Sequence, residues 1–525
     1  MAISCEKQTI EVERLAGSAS FQIPVRAEAP VPGAGRETVE VLMEDAFASL
    51  SGAEAQSGRV LVKGQAQCQA VYRLGEEGGL RALTARADFE QAVEIEGAEP
   101  SMAVRARAVA EHVEAAYDNG HMVFQVVVAV SVRVKSLTPV EAVTKIAGDE
   151  PVEVLTSRVR SARTSAENSE TAELSDSVSL PAALHARVAL MQWAEPRVES
   201  VARDLGGVRV SGAVQIESLI ASSVSGRPVA LVRYQMPFEQ LVAMPDWIEG
   251  EPESEAEVTR LSVTVEEGAE GGDAALNMAC SLQVTVSLSG EDCADAVSDA
   301  FIAGDGALAL TRETLPVCAG AEAVQVRETF RGALLLPENA PGAGTALAAH
   351  VRPVVSGWET ENGEGRAQGV LEATVLYMPS GGDRLTSVRA ELPFAVKTPA
   401  PAGEDAALSV TASEAEAAAL MSDRMELKCA LSVRGVSWKT EDTAVVTAAQ
   451  EAGSAPRRRG AGIRYPEPGD TFWSVARRYR VALEDLKAEN PDMAEVRAGT
   501  PVIVRVRTPQ SAARPSSQED SRRVL

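Results

Sequence analysis

The run Gly58-Arg-Val-Leu-Val-Lys-Gly64-Gln-Ala-Gln-Cys-Gln-Ala-Val-Tyr72 alternates polar and apolar residues, and a second alternating run follows it around Phe89. Alternation with a period of two is typical of a strand that buries one face. Glycine-containing segments separate the two runs, as expected for strands joined by a turn. This part of the chain therefore predicts neighbouring β-strands.

The same arrangement recurs twice further along the chain. Its glycine and phenylalanine landmarks are Gly64 and Phe89, Gly212 and Phe238, and Gly369 and Phe394. Within each pair the two residues are 25, 26 and 25 positions apart, respectively. The residues eight positions after each glycine are Tyr72, Ile220 and Tyr377. Such internal repetition predicts three copies of one β-rich unit.

One segment of each copy is ambiguous. Residues 103–117 and 412–420 are rich in alanine, which favours a helix. The equivalent segment of the second copy, residues 261–267, alternates as a strand does. We therefore expect β-hairpins at this position in all three copies.

These patterns predict a mainly β fold with three β-rich repeats, each a sandwich or an open barrel, and a small C-terminal strand–helix–helix–strand module. The expected repeats cover residues 1–157, 176–290 and 326–439, the module covers 463–507, and a disordered tail covers 508–525. Segments rich in small and polar residues predict a linker at 158–175, a connecting segment at 291–325 and a flexible linker at 440–462.

The C-terminal module begins at Pro468-Gly469-Asp470-Thr471-Phe472-Trp473. Thr471 or Asp470 can cap a helix in which apolar residues recur at helical spacing. A second short helix is expected to end at Asn490-Pro491, because proline cannot continue it. Pro466 removes a donor from the preceding strand, which should be short or lie at an edge.

This module resembles a LysM module in its Gly-Asp-Thr string, its Asn-Pro pair and their spacing. The resemblance implies binding of peptidoglycan or another N-acetylglucosamine glycan in a shallow groove between two loops. By position, the implied glycan-binding residues are Gly469, Asp470, Thr471, Phe472, Asn490, Pro491, Asp492 and Met493. Several of these residue types are also what turns and helix caps require, so a purely structural role is the alternative.

The repeats resemble the SPOCS domain, which takes its name from spore-coat morphogenetic proteins. Three such copies followed by a LysM module form an architecture of spore-forming bacteria. The resemblance implies spore-coat proteins as partners and a position on the mother-cell side of the spore surface. Exposed strand edges of the repeats also favour self-association.

Composition excludes several classes of protein. The net charge of −25 argues against nucleic acid and anionic membranes as partners. The N-terminal residues lack the apolar core of a signal peptide, so we expect a cytoplasmic protein without membrane insertion. Six cysteines without a C-x-x-C pair are expected to be reduced, and we expect neither a structural metal nor a cofactor.

No catalytic constellation is evident. The four histidines are scattered, and we find no nucleophile elbow, P-loop or zinc-protease motif. We therefore expect a non-catalytic scaffold. The abundant carboxylates leave a LysM-targeted cell-wall hydrolase as one alternative, since that chemistry needs only two acids. Another alternative is a glycan-binding or regulatory protein that does not assemble an envelope.

Overall fold

The computed structural model describes residues 3–35, 37–75, 78–267, 273–399, 406–454 and 460–506, and most of these residues lie in strands. One order of six strands occurs three times in succession, and we call the three blocks unit 1, unit 2 and unit 3. The mainly β fold is therefore confirmed.

The elements are long, antiparallel strands. Unit 1 contains β1 (Ser4–Pro30), β2 (Val39–Gln56), β3 (Arg59–Leu74), β4 (Leu80–Glu94), β5 (Ala103–Asp118) and β6 (His121–Ala147). Unit 2 contains β7 (Val152–Leu180), β8 (Ala186–Asp204), β9 (Gly207–Val224), β10 (Arg227–Ala243), β11 (Glu251–Glu266) and β12 (Ala274–Ile302), with a short 3-10 turn at Ala182–Leu184. Unit 3 contains β13 (Gly306–Leu335), β14 (Thr345–Glu361), β15 (Glu364–Met378), β16 (Thr386–Thr398), β17 (Ala406–Met421) and β18 (Arg424–Ser454).

Every unit is built from two three-stranded sheets. The sixth strand lies between the first and the fifth, and the third strand lies between the second and the fourth. Apolar residues of both sheets share one core, as Ile23 of β1, Val62 of β3 and Val128 of β6 do in unit 1. The alanine-rich segments predicted as hairpin strands are confirmed, because they form β5 and β17.

The spacing of glycine and phenylalanine follows from the pairing of the third and fourth strands. Gly369 lies directly opposite Phe394, and the same pairing joins the other two landmark pairs. A Cβ atom at Gly369 would lie 2.0 Å from the carbonyl oxygen of Val354 and 3.0 Å from the Phe394 ring. The ring therefore fills the space that a side chain would need, as cross-strand aromatics do for glycines in sheets.

The predicted linkers between the repeats are wrong. Residues 158–175 lie within β7, where they form a continuous ladder with β12. Residues 291–325 belong almost entirely to β12 and β13, and residues 440–454 belong to β18. Strands β7 and β13 lie at sheet edges, and beyond residues 289 and 437 strands β12 and β18 each pair with one neighbour only. Polar side chains in these segments are therefore compatible with strands. Residues 455–459 and the predicted disordered tail at 508–525 lie outside the described residues.

The long first and sixth strands of each unit extend beyond the unit's core as a two-stranded ribbon. Residues from all three ribbons share one buried cluster, which includes Ile10 of unit 1, Ala296 of unit 2 and Leu315 of unit 3. We call this three-ribbon bundle the stem. The buried apolar contacts of the stem join the three units.

The short sheets of the three units also meet. Each second strand has a register shift at the same place, after which Met43 pairs with Val71, Met191 with Leu219, and Ala348 with Leu376. These six buried residues belong to one apolar cluster, which we call the head cluster. Equivalent positions of the three units thus converge, and the units surround a pseudo-threefold axis.

Residues 460–506 form a small module of two strands and two helices, which we call the tail module. It consists of β19 (Gly460–Arg464), α1 (Phe472–Tyr479), α2 (Leu483–Ala488) and β20 (Val502–Val506), and β19 pairs antiparallel with β20. Strand β19 ends before Pro466, as expected. Neither helix is long and apolar enough to cross a membrane, among the residues described. All six cysteines lie in the described residues as thiols, not in disulfide bonds.

Candidate functional site

The first predicted glycan-binding loop is fixed by the start of α1. Thr471 is the N-cap: its hydroxyl accepts a hydrogen bond from the Ser474 amide at 3.1 Å, and the Ser474 hydroxyl accepts one from the Thr471 amide at 2.9 Å. This reciprocal arrangement is a capping box. Gly469 has a φ of +89°, a backbone conformation that favours glycine at this turn.

Asp470 holds this loop against the helix. Its carboxylate accepts hydrogen bonds from the Glu467 amide at 2.9 Å and from both terminal nitrogens of Arg478 at 2.8 and 2.9 Å. These bonds to the Glu467 amide and to Arg478 keep the pKa of Asp470 below its usual range. The loop is thus preorganised, and its exposed groups are Gly469 and Thr471.

The second predicted loop begins at a buried side chain. The Asn490 amide donates to the carbonyls of Leu486 and Ile503 at 2.8 Å each, and its oxygen accepts from the Ile503 amide at 2.8 Å. Both donor hydrogens are therefore used to join α2 to β20. Asn490 has a structural role here, whereas the neighbouring Pro491 and Asp492 are exposed.

Phe472 and Met493, one from each loop, are half-buried and pack against the same apolar cluster of the tail module. The structure thus brings the two loops to one small core. Of the eight predicted residues, four present exposed surface and the others support it. Exposed turn amides beside a partly apolar wall are groups that can contact the acetamido and ring faces of a sugar.

The tail module is docked on the stem, which the sequence did not indicate. The Trp473 indole donates to Asp299 of β12 at 2.9 Å, and Arg477 forms an ion pair with the same carboxylate at 2.9 Å. The Trp473 ring meets Phe301 edge to face at a centroid distance of 5.1 Å. Phe301 is buried in the apolar cluster of the module. The module and the stem therefore share a core.

A second contact fixes α2. No side chain of its own caps the helix at Ala482, and the carboxylate of Glu153 in β7 lies near the Leu483 amide at this end. Burial raises the pKa of Glu153, although the Leu483 amide acts in the opposite direction. An acid of the stem therefore lies beside the first turn of α2.

Three polar or aromatic residues meet beside the head cluster. Asp45, Trp193 and His350 occupy equivalent positions, each two residues after the paired positions Met43, Met191 and Ala348. The Trp193 indole donates to Asp45 at 2.7 Å, His350 Nε2 lies 3.5 Å from the same oxygen, and the two rings stack with centroids 4.6 Å apart. We call these residues the axial trio.

Arg352 is the charge partner of Asp45 in the axial trio. Its Nη2 donates to the other oxygen of Asp45, and its side chain is only 10% exposed. Burial alone would raise the pKa of Asp45, but Arg352 and His350 hold it well below its usual range. Burial, together with the Asp45 charge, raises the pKa of the nearby Cys68 to about 12, so this thiol is a poor nucleophile.

The remaining candidate residues are the histidines and the other potential metal ligands. His112 bonds to Glu372 at 2.9 Å, and His121 pairs across its hairpin with Asp118, so the two histidines do not meet. Within the described ranges, no group of three or more histidine, cysteine, aspartate or glutamate residues could hold a metal ion.

Comparison with known proteins finds one family model that matches part of this chain. No curated protein and no solved structure matches it. Residues 38–118 match the family model described as SipL, SPOCS domain. This segment runs from the residue before β2 to the end of β5. The comparisons therefore support a SPOCS-domain protein, with the matched segment in unit 1.

Proposed function

We propose that the chain is a non-catalytic scaffold of the spore envelope. The tail module would bind an N-acetylglucosamine glycan such as peptidoglycan, and the units would bind spore-coat proteins on the mother-cell side. The observation that carries the sporulation context is the SPOCS match at residues 38–118. Because units 2 and 3 repeat the strand order of unit 1, we extend the SPOCS assignment to them and regard each two-sheet unit as a β-sandwich.

The glycan-binding part of the proposal takes the tail module to be a LysM-type fold. Its element order is strand, helix, helix, strand, and its two predicted loops present Gly469, Thr471, Pro491 and Asp492 on one small core. A shallow, exposed site of this kind would bind weakly by itself. Self-association of the scaffold would raise its avidity for a polymeric glycan.

Co-sedimentation of the full chain with purified peptidoglycan tests the glycan-binding proposal. We expect binding that N-acetylglucosamine oligomers inhibit and glucose oligomers do not. Asp492→Ala should weaken binding, because it removes an exposed acceptor of the second loop. Glu495→Ala is the matched control, since Glu495 is an exposed acid outside both loops.

Two outcomes would contradict the proposal. Equal binding by the full chain and by a variant lacking residues 457–525 would show that the tail module does not bind the glycan. Circular dichroism would check that the units of the shortened variant remain folded. Cleared bands on a peptidoglycan zymogram that a carboxylate substitution abolishes would show that the chain is a hydrolase and not a non-catalytic scaffold.

A further inference from the structure

Two large apolar side chains are exposed at one end of unit 2. Leu205, in the turn between β8 and β9, is 88% exposed, and Trp247, in the loop between β10 and β11, is 81% exposed. Single exposed apolar residues are common on protein surfaces, whereas a fixed pair of large ones is typical of an interaction site. We call these two residues the exposed pair.

Hydrogen bonds join the turn to the loop. The Gly206 amide donates to Asp246 Oδ1 at 3.0 Å, and the Met244 amide donates to the Gly206 carbonyl at 3.2 Å. Arg203 of β8 donates to the Ile248 carbonyl at 2.7 Å. Each member of the exposed pair is adjacent in sequence to one of the bonded residues Gly206 and Asp246. The pair therefore lies on one ordered surface.

The corresponding positions of the other units carry polar or small residues. The turn residue that corresponds to Leu205 is Ser57 in unit 1 and Asn362 in unit 3, because each lies between the second strand and the turn glycine. Ala98 of unit 1 corresponds to Trp247, since each lies three residues after the residue whose amide donates to the turn glycine. Ala98 is buried. The fold of a unit therefore does not require an exposed pair.

The surface around the exposed pair is acidic. Asp246, Glu249 and Glu251 are exposed, and in the part of the chain that the structure describes they form no ion pair. Two copies of this surface would repel each other, and an anionic membrane would repel it as well. An arginine would be attracted both to the carboxylates and to the face of the tryptophan ring. The surface is therefore complementary to a basic segment that also carries aliphatic residues.

This chain has such a segment outside the described residues. Residues 507–525 include Arg522-Arg523-Val524-Leu525, a basic pair followed by two branched aliphatic residues. None of the other segments outside the described residues combines a basic residue with a branched aliphatic one. The chemistry of the exposed pair and its acids thus matches one segment of the same chain.

The length of this segment allows the contact. The loop between β10 and β11 lies beside Ser289 of β12, since a Cβ atom at Gly250 would be 2.7 Å from the Ser289 carbonyl oxygen. Val506, the last described residue, shares a buried cluster with Phe301 of β12. The 12 residues from Ser289 to Phe301 span about 40 Å of strand. The 16 residues from Val506 to Arg522 can extend to about 55 Å, so the segment can reach the loop.

We propose that Arg522-Arg523-Val524-Leu525 docks on the exposed pair of its own chain. The aliphatic residues pack against Leu205 and Trp247, and the guanidinium groups lie beside the acids. The connection through the chain gives the segment an effective concentration of about 1 mM, so even a weak contact forms within one chain. A partner that binds either surface must displace this contact.

Limited digestion of the full chain with trypsin, followed by mass spectrometry, tests this proposal. Trypsin cleaves after arginine in accessible segments, so docking should slow cleavage after Arg522 and Arg523. The double variant Leu205→Asn/Trp247→Ala introduces residue types that units 3 and 1 have at these positions, and its melting temperature should be unchanged. Its segment should be cleaved about tenfold faster, which corresponds to docking for about nine-tenths of the time in the unaltered chain.

Leu420→Asn is the control, because Leu420 is an exposed leucine of β17 in unit 3. It should be cleaved as the unaltered chain is. Glu249→Gln/Glu251→Gln should be cleaved faster, because it removes two acids beside the exposed pair.

Two results would overturn the proposal. One is equal cleavage of the unaltered chain and the Leu205→Asn/Trp247→Ala variant. The other is protection that increases with protein concentration, which would place the segment on a second copy of the chain. The digestion uses no peptidoglycan, so this proposal and the glycan-binding proposal can fail separately.

Discussion

Replacing Asp45 with alanine removes the acceptor on which the axial trio depends. The change leaves Arg352 buried without its main partner and the Trp193 indole without an acceptor. Removing one partner of a buried ion pair costs about 3–5 kcal/mol. A domain of 150–250 residues loses about 2–4 °C of melting temperature per kcal/mol. The expected decrease is therefore about 6–20 °C in the first thermal transition.

Scanning calorimetry at neutral pH measures this decrease, with Asp88→Ala as the control. Asp88 is an exposed aspartate of unit 1 that bonds only to Gln65, at 2.8 Å. Its replacement should change stability by less than about 0.5 kcal/mol. The double variant Asp45→Ala/Arg352→Met should recover much of the loss, because removing a whole buried pair can be neutral. Equal melting of Asp45→Ala and Asp88→Ala would refute the reasoning.

The pH dependence supplies an independent check on Asp45. Its pKa is lowered in the folded chain, so its stabilising contribution is present above the pKa of the unfolded chain, about 4. This contribution is lost as the pH falls toward the folded pKa. The difference in stability between the unaltered chain and Asp45→Ala should therefore shrink below about pH 4.

Three further predictions concern other parts of the molecule. Burial raises the pKa of Glu44 to about 7, so its ionisation should destabilise the fold as the pH rises from about 4.5 to 7; Glu44→Gln should raise the melting temperature at pH 8 but not at pH 4. Gly369→Ala should destabilise unit 3 in urea unfolding by about 1–3 kcal/mol, because its Cβ meets the Val354 carbonyl, whereas Gly357→Ala has open space and should not. Phe301→Ala should increase hydrogen exchange in α1 and α2 by loosening the docked module, and unchanged protection there would contradict a shared core.

The repeated architecture could be predicted from sequence because its signals are local. The constant distance from Gly369 to Phe394, matched in the other two copies, follows from direct cross-strand pairing. Comparison among the copies also predicts strands in the alanine-rich segments, although their composition favours helices. The stem could not be predicted, because residues 158–175 carry the polar composition of a linker and their ladder with β12 depends on partners about 120 residues away.

The local structure of the candidate site was likewise predictable, and its surroundings were not. The Thr471 cap and the turn at Gly469 depend on neighbouring residues only. The position of Asn490 in the sequence predicts a glycan-binding role, but a sequence does not show which carbonyls its amide will reach. The contacts of Trp473 with Asp299 and Phe301 join residues more than 170 positions apart. The axial trio is equally non-local, and no motif marks it.

The position of Arg352 has a consequence for synthesis of the chain. Arg352 lies 307 residues after Asp45, its charge partner. A ribosome that adds about 5–20 residues per second makes Arg352 about 15–60 s after Asp45. We expect unit 1 to emerge with an unpaired carboxylate on a surface that is later buried, together with the exposed apolar side chains of Met43 and Val71. During this interval the nascent chain would be a substrate for chaperones, and a pause before unit 3 would lengthen its exposure.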